Sequence, residues 1–145
     1  MLCVAGNFLI AATIESMAEA LALAENNGAD RDAVKDMLTS TIFDCLIYKG
    51  YGQRVAERDH LPGGFALELG LKDVNLVRNV AAKTNVPMPF ASALHDRFLQ
   101  ARAQGMSDFD WSAIGLLASE AAGVDVSKVK ADTLAAVEEE KKSRK

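Results

Sequence analysis

The chain has 145 residues, half of them apolar and a quarter charged, with a formal net charge of -4 at neutral pH. That length suits one domain able to bury about 70% of its unfolded surface, and the mild acidity gives no electrostatic reason for a nucleic acid or an anionic membrane as partner. Its two cysteines, Cys3 and Cys45, are too few and too far apart for a disulfide framework or a metal pair and read as small buried hydrophobes in a reducing compartment.

The first stretch, Met1 to Asn27, has no Pro and one Gly, and its Leu, Ile, Phe and Ala content predicts a single helix of about seven turns. Apolar residues lie nearly all round it from Met1 to Ile14, whereas Glu15, Glu19 and Glu25 occur only in its second half. The expectation is an enclosed front and a wetted back. Asn7 stands alone as a polar side chain on that apolar front. A buried amide left unpaired costs about 1–3 kcal/mol, so Asn7 either bonds another helix or a water, or serves a site. No basic residue precedes the apolar run, which argues against a secretory leader, and Asn7 and Glu15 interrupt it short of the ~18 residues of a membrane span. A cytoplasmic or organelle-matrix location is expected.

Asn26-Asn27-Gly28 is a helix stop, and Asp30 or Asp32 caps a short second helix with Val34, Met37 and Leu38 as its apolar residues. After Thr39-Ser40-Thr41 a third helix is predicted from Ile42 to Arg58, with Phe43, Leu46, Ile47 and Val55 as contacts. Leu61-Pro62-Gly63-Gly64 is the clearest loop. A fourth helix follows over Phe65 to Thr84, striped by Leu67, Leu71, Val74, Val77 and Val80, with Lys72 in its middle on what composition alone makes a solvated face. The Val86-Pro87-Met88-Pro89 connector is stiff and extended. A fifth helix runs from Phe90 to about Gln104 with Gly105 after it, and Asp110 caps a sixth, Trp111 to Ala122, closed by Gly123. Residues 124–145 read as a loosely attached helix fraying into a charged tail, distinct from the 1–123 domain.

No strand pattern competes with these, so the fold class is all-α, a bundle of about six helices around one long buried N-terminal helix. A Gly-rich phosphate loop following a strand is absent, as is a Gly-x-Ser-x-Gly elbow, and His60 and His95 are single, so no metal site is expected.

Ala5-Gly6-Asn7-Phe8-Leu9-Ile10-Ala11-Ala12, then Glu15-Ser16-Met17-Ala18-Glu19-Ala20, Pro62-Gly63-Gly64-Phe65, Leu71-Lys72-Asp73, Val86-Pro87-Met88-Pro89 and Asp108-Phe109-Asp110-Trp111-Ser112 occur in that order. Together they resemble the helical C-terminal domain of the NAD(P)-dependent β-hydroxyacid dehydrogenases, a 6-phosphogluconate dehydrogenase C-terminal-like fold, with wording most similar to the glyoxylate and succinic semialdehyde reductase branch. The resemblance covers about Leu2 to Gly123. It implies a separate Rossmann domain that binds NAD or NADP, a helical domain that closes the site and makes a homodimer, and a small semialdehyde or 2-oxo acid as substrate. The family places a catalytic Lys four residues before the Asn matched by Asn7, and here that position is Cys3. A thiol neither supplies a cation at neutral pH nor reaches as far as a Lys, and loss of a general acid costs about 10²–10⁴ in rate. With no Lys, the partner of Asn7 is missing. Lys72 matches a family Lys that contacts the cofactor, and Phe65 matches a residue near the active-site mouth or serves as a loop anchor. The resulting expectation is the helical part of a hydroxyacid dehydrogenase, inactive without a Rossmann domain or partner chain, with a stand-alone dimerisation module as the alternative.

Overall fold

The computed structural model describes residues 2–62 and 64–143, so Met1, Gly63 and the Arg144-Lys145 end of the expected tail lie outside the described residues. Among these are seven α-helices and one 3-10 turn, with no strand. The helices are α1 (Leu2–Asn26), α2 (Arg31–Thr39), α3 (Leu46–Glu57), α4 (Leu67–Thr84), α5 (Pro89–Ala103), α6 (Ile114–Ala121) and α7 (Ser127–Ser143), with the 3-10 turn at Trp111–Ala113 leading into α6. The all-α expectation holds. Gly28, Gly105 and Gly123 each take the left-handed conformation after a helix, as their positions predicted. Arg58 and Asn85 do the same after α3 and α4 without being glycine.

The core forms where α1 is gripped by α3, α4 and α6. Ile14, Met17, Ala18 and Leu21 of α1 are buried with Val55, Leu71, Leu94, Phe98, Ile114 and Leu117. Apolar burial of this kind is the main favourable term, about 25 cal/mol per Å². The gradient along α1 runs opposite to the expectation: its second half is the enclosed one, while Leu9 in its front is 62% exposed. Ion pairing explains the inversion. Glu15, only 3% exposed, meets the Arg97 guanidinium at 2.5 Å, and Glu25 is shared by Arg31 at 3.0 Å and Arg58 at 2.6 Å. The acids that marked the second half as wet are neutralised by bases from other elements. By length and composition Cys3–Asn26 is apolar enough to cross a bilayer, contrary to the reading that Asn7 and Glu15 forbid it. Its packing in this structure is that of the bundle's core helix.

The second helix is also turned over. Asp30 caps it by accepting from the Ala33 N–H, but the buried side chains are Arg31, Lys35 and Thr39, and Met37 is 53% exposed. Arg31 donates to the Val55 carbonyl at 2.8 Å and the Ala56 carbonyl at 3.3 Å. Those carbonyls belong to the last turn of α3, where orphan acceptors and the negative end of the helix favour a cation. Leu46, expected as a contact of the third helix, is 84% exposed, and the helix starts only there rather than at Ile42, which is itself 79% exposed. Both cysteines are exposed rather than buried.

Residues 60–62 and 64–67 are knitted to residues 106–112 beside α4. Ala66 and Asp110 form an isolated antiparallel bridge, the Trp111 N–H donates to the Phe65 carbonyl at 2.7 Å, and the Leu67 N–H donates to the Phe109 carbonyl at 2.8 Å. The Asp110 carboxylate accepts from the Phe65 and Ser112 N–H groups. A Cβ on Gly64 would overlap that carboxylate, and one on Gly70 would lie 2.6 Å from the Phe98 ring, so close approach explains both glycines.

Helix α7 runs from Ser127 to Ser143. Val126 precedes it and is buried, as are Thr133 and Val137 within it. Its charged end touches the body through Lys141 and Asp108 at 2.6 Å.

Candidate functional site

The residues singled out from the sequence fall on two neighbouring helices. Asn7 lies on the front of α1, where its side-chain amide donates to the Asp73 carboxylate of α4 at 2.6 Å. The reading that Asn7 bonds another helix holds, since an acid on α4 takes the bond, while the position of the family Lys is still held by Cys3. Because a carboxylate only accepts, the amide nitrogen faces Asp73 and the Asn7 carbonyl oxygen stays available as an acceptor. Cys3 is exposed one turn before Asn7 on α1.

Lys72 is exposed on α4, the residue beside Asp73, and has no hydrogen-bond or ion-pair partner among the described residues. It lines a shallow groove of about 410 Å³ with Leu71, Asn75, Asn79 and Arg102. Arg102 is 3.5 Å from Glu68 at the edge of that groove. The available donors are one ammonium, two amides and a partly paired guanidinium, a set suited to an anionic or amide-bearing group.

Phe65 lies elsewhere. Its ring is 4.7 Å from that of Trp111, which in turn meets Tyr51 at 5.7 Å in edge contact. Phe65 also lines a cavity of about 310 Å³ with Pro62, Leu69, Asp108 and Lys141. The loop-anchoring role is visible there, and the Lys72 groove is a separate feature.

His60 is the most shifted titratable group nearby. It is 1% exposed, with Nδ1 at 2.8 Å from the Ser112 hydroxyl, and burial pushes its pKa down to about 4 despite the neighbouring Asp110. Ser112 is fully buried, so this pair is a structural bond inside the loop junction rather than a reactive one. Burial raises the Glu15 carboxyl above its ordinary range, outweighing Arg97.

Sequence reasoning left Asp73 without a role although it stands in the Leu71-Lys72-Asp73 motif, because its partner is 66 residues away and no spacing reveals the pairing. The signal available was Asn7 itself, an amide needing a partner on an apolar helix.

Residues 2–118 match the family described as NAD-binding of NADP-dependent 3-hydroxyisobutyrate dehydrogenase. The chain is 31% identical over 108 residues to the uncharacterized oxidoreductase YfjR of Bacillus subtilis, covering 74% of this chain and 37% of that protein. It is 29% identical over 108 residues to glyoxylate/succinic semialdehyde reductase 1 of Arabidopsis thaliana, with the same coverage of 74% and 37%. A crystal structure of 3-hydroxyisobutyrate dehydrogenase from Salmonella typhimurium superposes with a TM-score of 0.73 at 28% identity, over 80% of this chain and 40% of that one. The matched part thus spans about two fifths of each relative's length.

Proposed function

The chain belongs to the family of the NAD-binding domain of NADP-dependent 3-hydroxyisobutyrate dehydrogenase, and from that membership we propose that it is the substrate-closing helical domain of an NAD(P)-dependent hydroxyacid dehydrogenase. The observation that carries this reading is the Asn7–Asp73 bond, which joins the front of α1 to the α4 turn holding Lys72. One carbonyl oxygen and one unpartnered ammonium thereby sit on a fixed pair of helices, as a domain that closes over a substrate and a cofactor requires.

The residues of the α4 groove fit part of a nicotinamide dinucleotide. Lys72 with Asn75 and Asn79 offers donors to a phosphate, ribose or carboxamide. The cofactor, when bound, supplies or takes the hydride. Asn7 then orients the substrate hydroxyl or carbonyl through its side chain, and Asp73 keeps the amide from rotating. The proton donor is the weak point. Reduction of a carbonyl builds negative charge on oxygen, which an ammonium stabilises and protonates, and the Cys3 thiol carries no such cation. We therefore assign the chain no turnover by itself and place its action with a nucleotide-binding domain, in a homodimer or with a partner chain. The substrate class is a small semialdehyde or 2-oxo acid.

Titrating NADPH into the 145-residue chain with glyoxylate or succinic semialdehyde tests this. The expected result is no turnover by the chain alone. Turnover at the rate of full-length relatives would overturn the assignment.

A further inference from the structure

Helix α7 lies beyond residues 2–118, the part that matches the family. The chain leaves the bundle for it through Gly123, whose backbone is left-handed and where an added Cβ would meet no atom within 4 Å. A left-handed glycine in open space lets the chain pivot without displacing a neighbour. The buried line along α7 is narrow: Val126 ahead of it, then Thr133 and Val137. Thr133 donates its hydroxyl to the Val129 carbonyl, a bond internal to the helix. Two charged clasps flank that line. Near the pivot Lys130 reaches Glu120 of α6 and the Gln104 side chain, the latter at 2.6 Å, and near the far end Lys141 reaches Asp108 at 2.6 Å. Both clasps meet solvent, where such pairs are weak and are weakened further by salt. Glu138 and Lys142, exposed and one turn apart in the favourable order, support the helix whether or not it is docked.

The far clasp sits where the bundle ties down the start of α4. Asp108 stands between Ser107 and Phe109, whose carbonyls accept the Glu68 N–H at 3.1 Å and the Leu67 N–H at 2.8 Å. Both donors belong to the first turn of α4, where an N–H has no acceptor inside its own helix. Val137, Glu140 and Lys141 also form one wall of the cavity of about 310 Å³ whose other wall includes Pro62, Phe65 and Leu69. We propose that α7 is a strap that docks and releases as a unit about Gly123, and that its docked end fixes the first turn of α4 through Asp108. Release removes the α7 wall of the cavity and leaves Phe65 and Leu69 facing an open cleft. It also loosens the 107–109 segment that holds the Leu67 and Glu68 amides. Glu68 borders the groove that contains Lys72, so the strap reaches that groove through one turn of helix. The strap itself stands on these contacts, and only its consequence for the Lys72 groove rests on the function proposed above. A terminal helix that merely rides on the bundle gives no reason for α4 to respond.

Amide hydrogen exchange of the full chain, read residue by residue by NMR, tests the strap. Lys130→Glu combined with Lys141→Glu sets like charges at both clasps. The amides of α7 are then expected to exchange about tenfold faster than in the native chain and those of Leu67 and Glu68 at least about threefold faster, with Ala11–Ala22 of α1 unchanged. Reversing the far clasp, Asp108→Lys with Lys141→Glu, is expected to bring the Leu67 and Glu68 rates back to the native values. Faster exchange in α7 with Leu67 and Glu68 unchanged would overturn the proposal and make α7 a passive tail. Acceleration of Ala11–Ala22 as well would mean that the substitutions loosen the whole bundle, and the unsubstituted chain then decides. Raising sodium chloride from about 0.05 M to about 1 M, where screening acts over about 3 Å, is expected to speed α7, Leu67 and Glu68 together and to leave Ala11–Ala22 as it was. Leu67 and Glu68 unmoved by salt would sink the strap. None of these rates depends on NADPH turnover, so failure of the strap is told apart from failure of the domain reading.

Discussion

Asn7 and Asp73 share one hydrogen between two helices, so the bond reports on site geometry and on stability together. Replacing Asn7 by Asp sets two carboxylates in contact. The expected loss is about 1–3 kcal/mol at pH 7, partly recovered at pH 4 where one of the pair takes up a proton. Asn7→Ala is expected to cost less, since the half-buried Asp73 can turn to water. Urea midpoints of the three proteins at both pH values check the order. Asn7 was legible as an anomaly from the sequence alone, because an amide amid Leu, Ile and Phe demands an explanation. Asp73 was not, since an acid on a half-wet helix face looks like any solvated charge until the fold supplies its partner. Lys72 remains where composition put it, on an open face.

Helix ends read well from the sequence because they depend on local backbone chemistry: Gly28, Gly105 and Gly123 stop their helices and Asp30 and Asp110 cap theirs. Helix faces read less well because they depend on partners. Arg31 and Lys35 turn inward since the α3 carbonyls, Glu25 and Gln53 await them, and no pattern within α2 reveals this. The same reasoning ranks the helices by stability. Within α7 only Thr133 and Val137 are buried, and the Lys141–Asp108 pair is solvent-exposed and is worth at most about 1 kcal/mol. Amide hydrogens of α7 are therefore expected to exchange at least tenfold faster than those of the Ala11–Ala22 segment of α1, as read by mass spectrometry after pulse labelling. Equal protection in both segments would contradict this ranking.

Among the described residues, the buried groups His60 and Glu15 contribute to the acid limb of stability with opposite sign. His60 has a folded pKa of about 4 against an ordinary 6.5, so the unfolded chain binds the proton first and stability falls as pH drops from 6.5 towards 4, by about 3 kcal/mol if nothing offsets it. Glu15 has a folded pKa raised above 4.5, so its contribution is present at low pH and is lost as pH rises through the folded value. The net acid slope between pH 6.5 and 4 is therefore smaller than His60 alone predicts. His60→Gln is expected to flatten or reverse the slope, as measured by denaturant midpoints across that range. Neither residue announced this in sequence, where His60 was a lone imidazole beside a loop and Glu15 a surface acid.

The bridge between Ala66 and Asp110 fastens the start of α4 to the chain just beyond α5, closing both helices and the Asn85–Met88 turn into a lasso tied at its neck. Val86 at the far end of that lasso is exposed. A protease cut there is expected to give two fragments on a denaturing gel but a single species under native conditions, because the knot and the α4–α5 packing hold the pieces. By the same logic this turn, remote from both Lys72 and Phe65, is the place where foreign sequence can be spliced in with least harm to the fold.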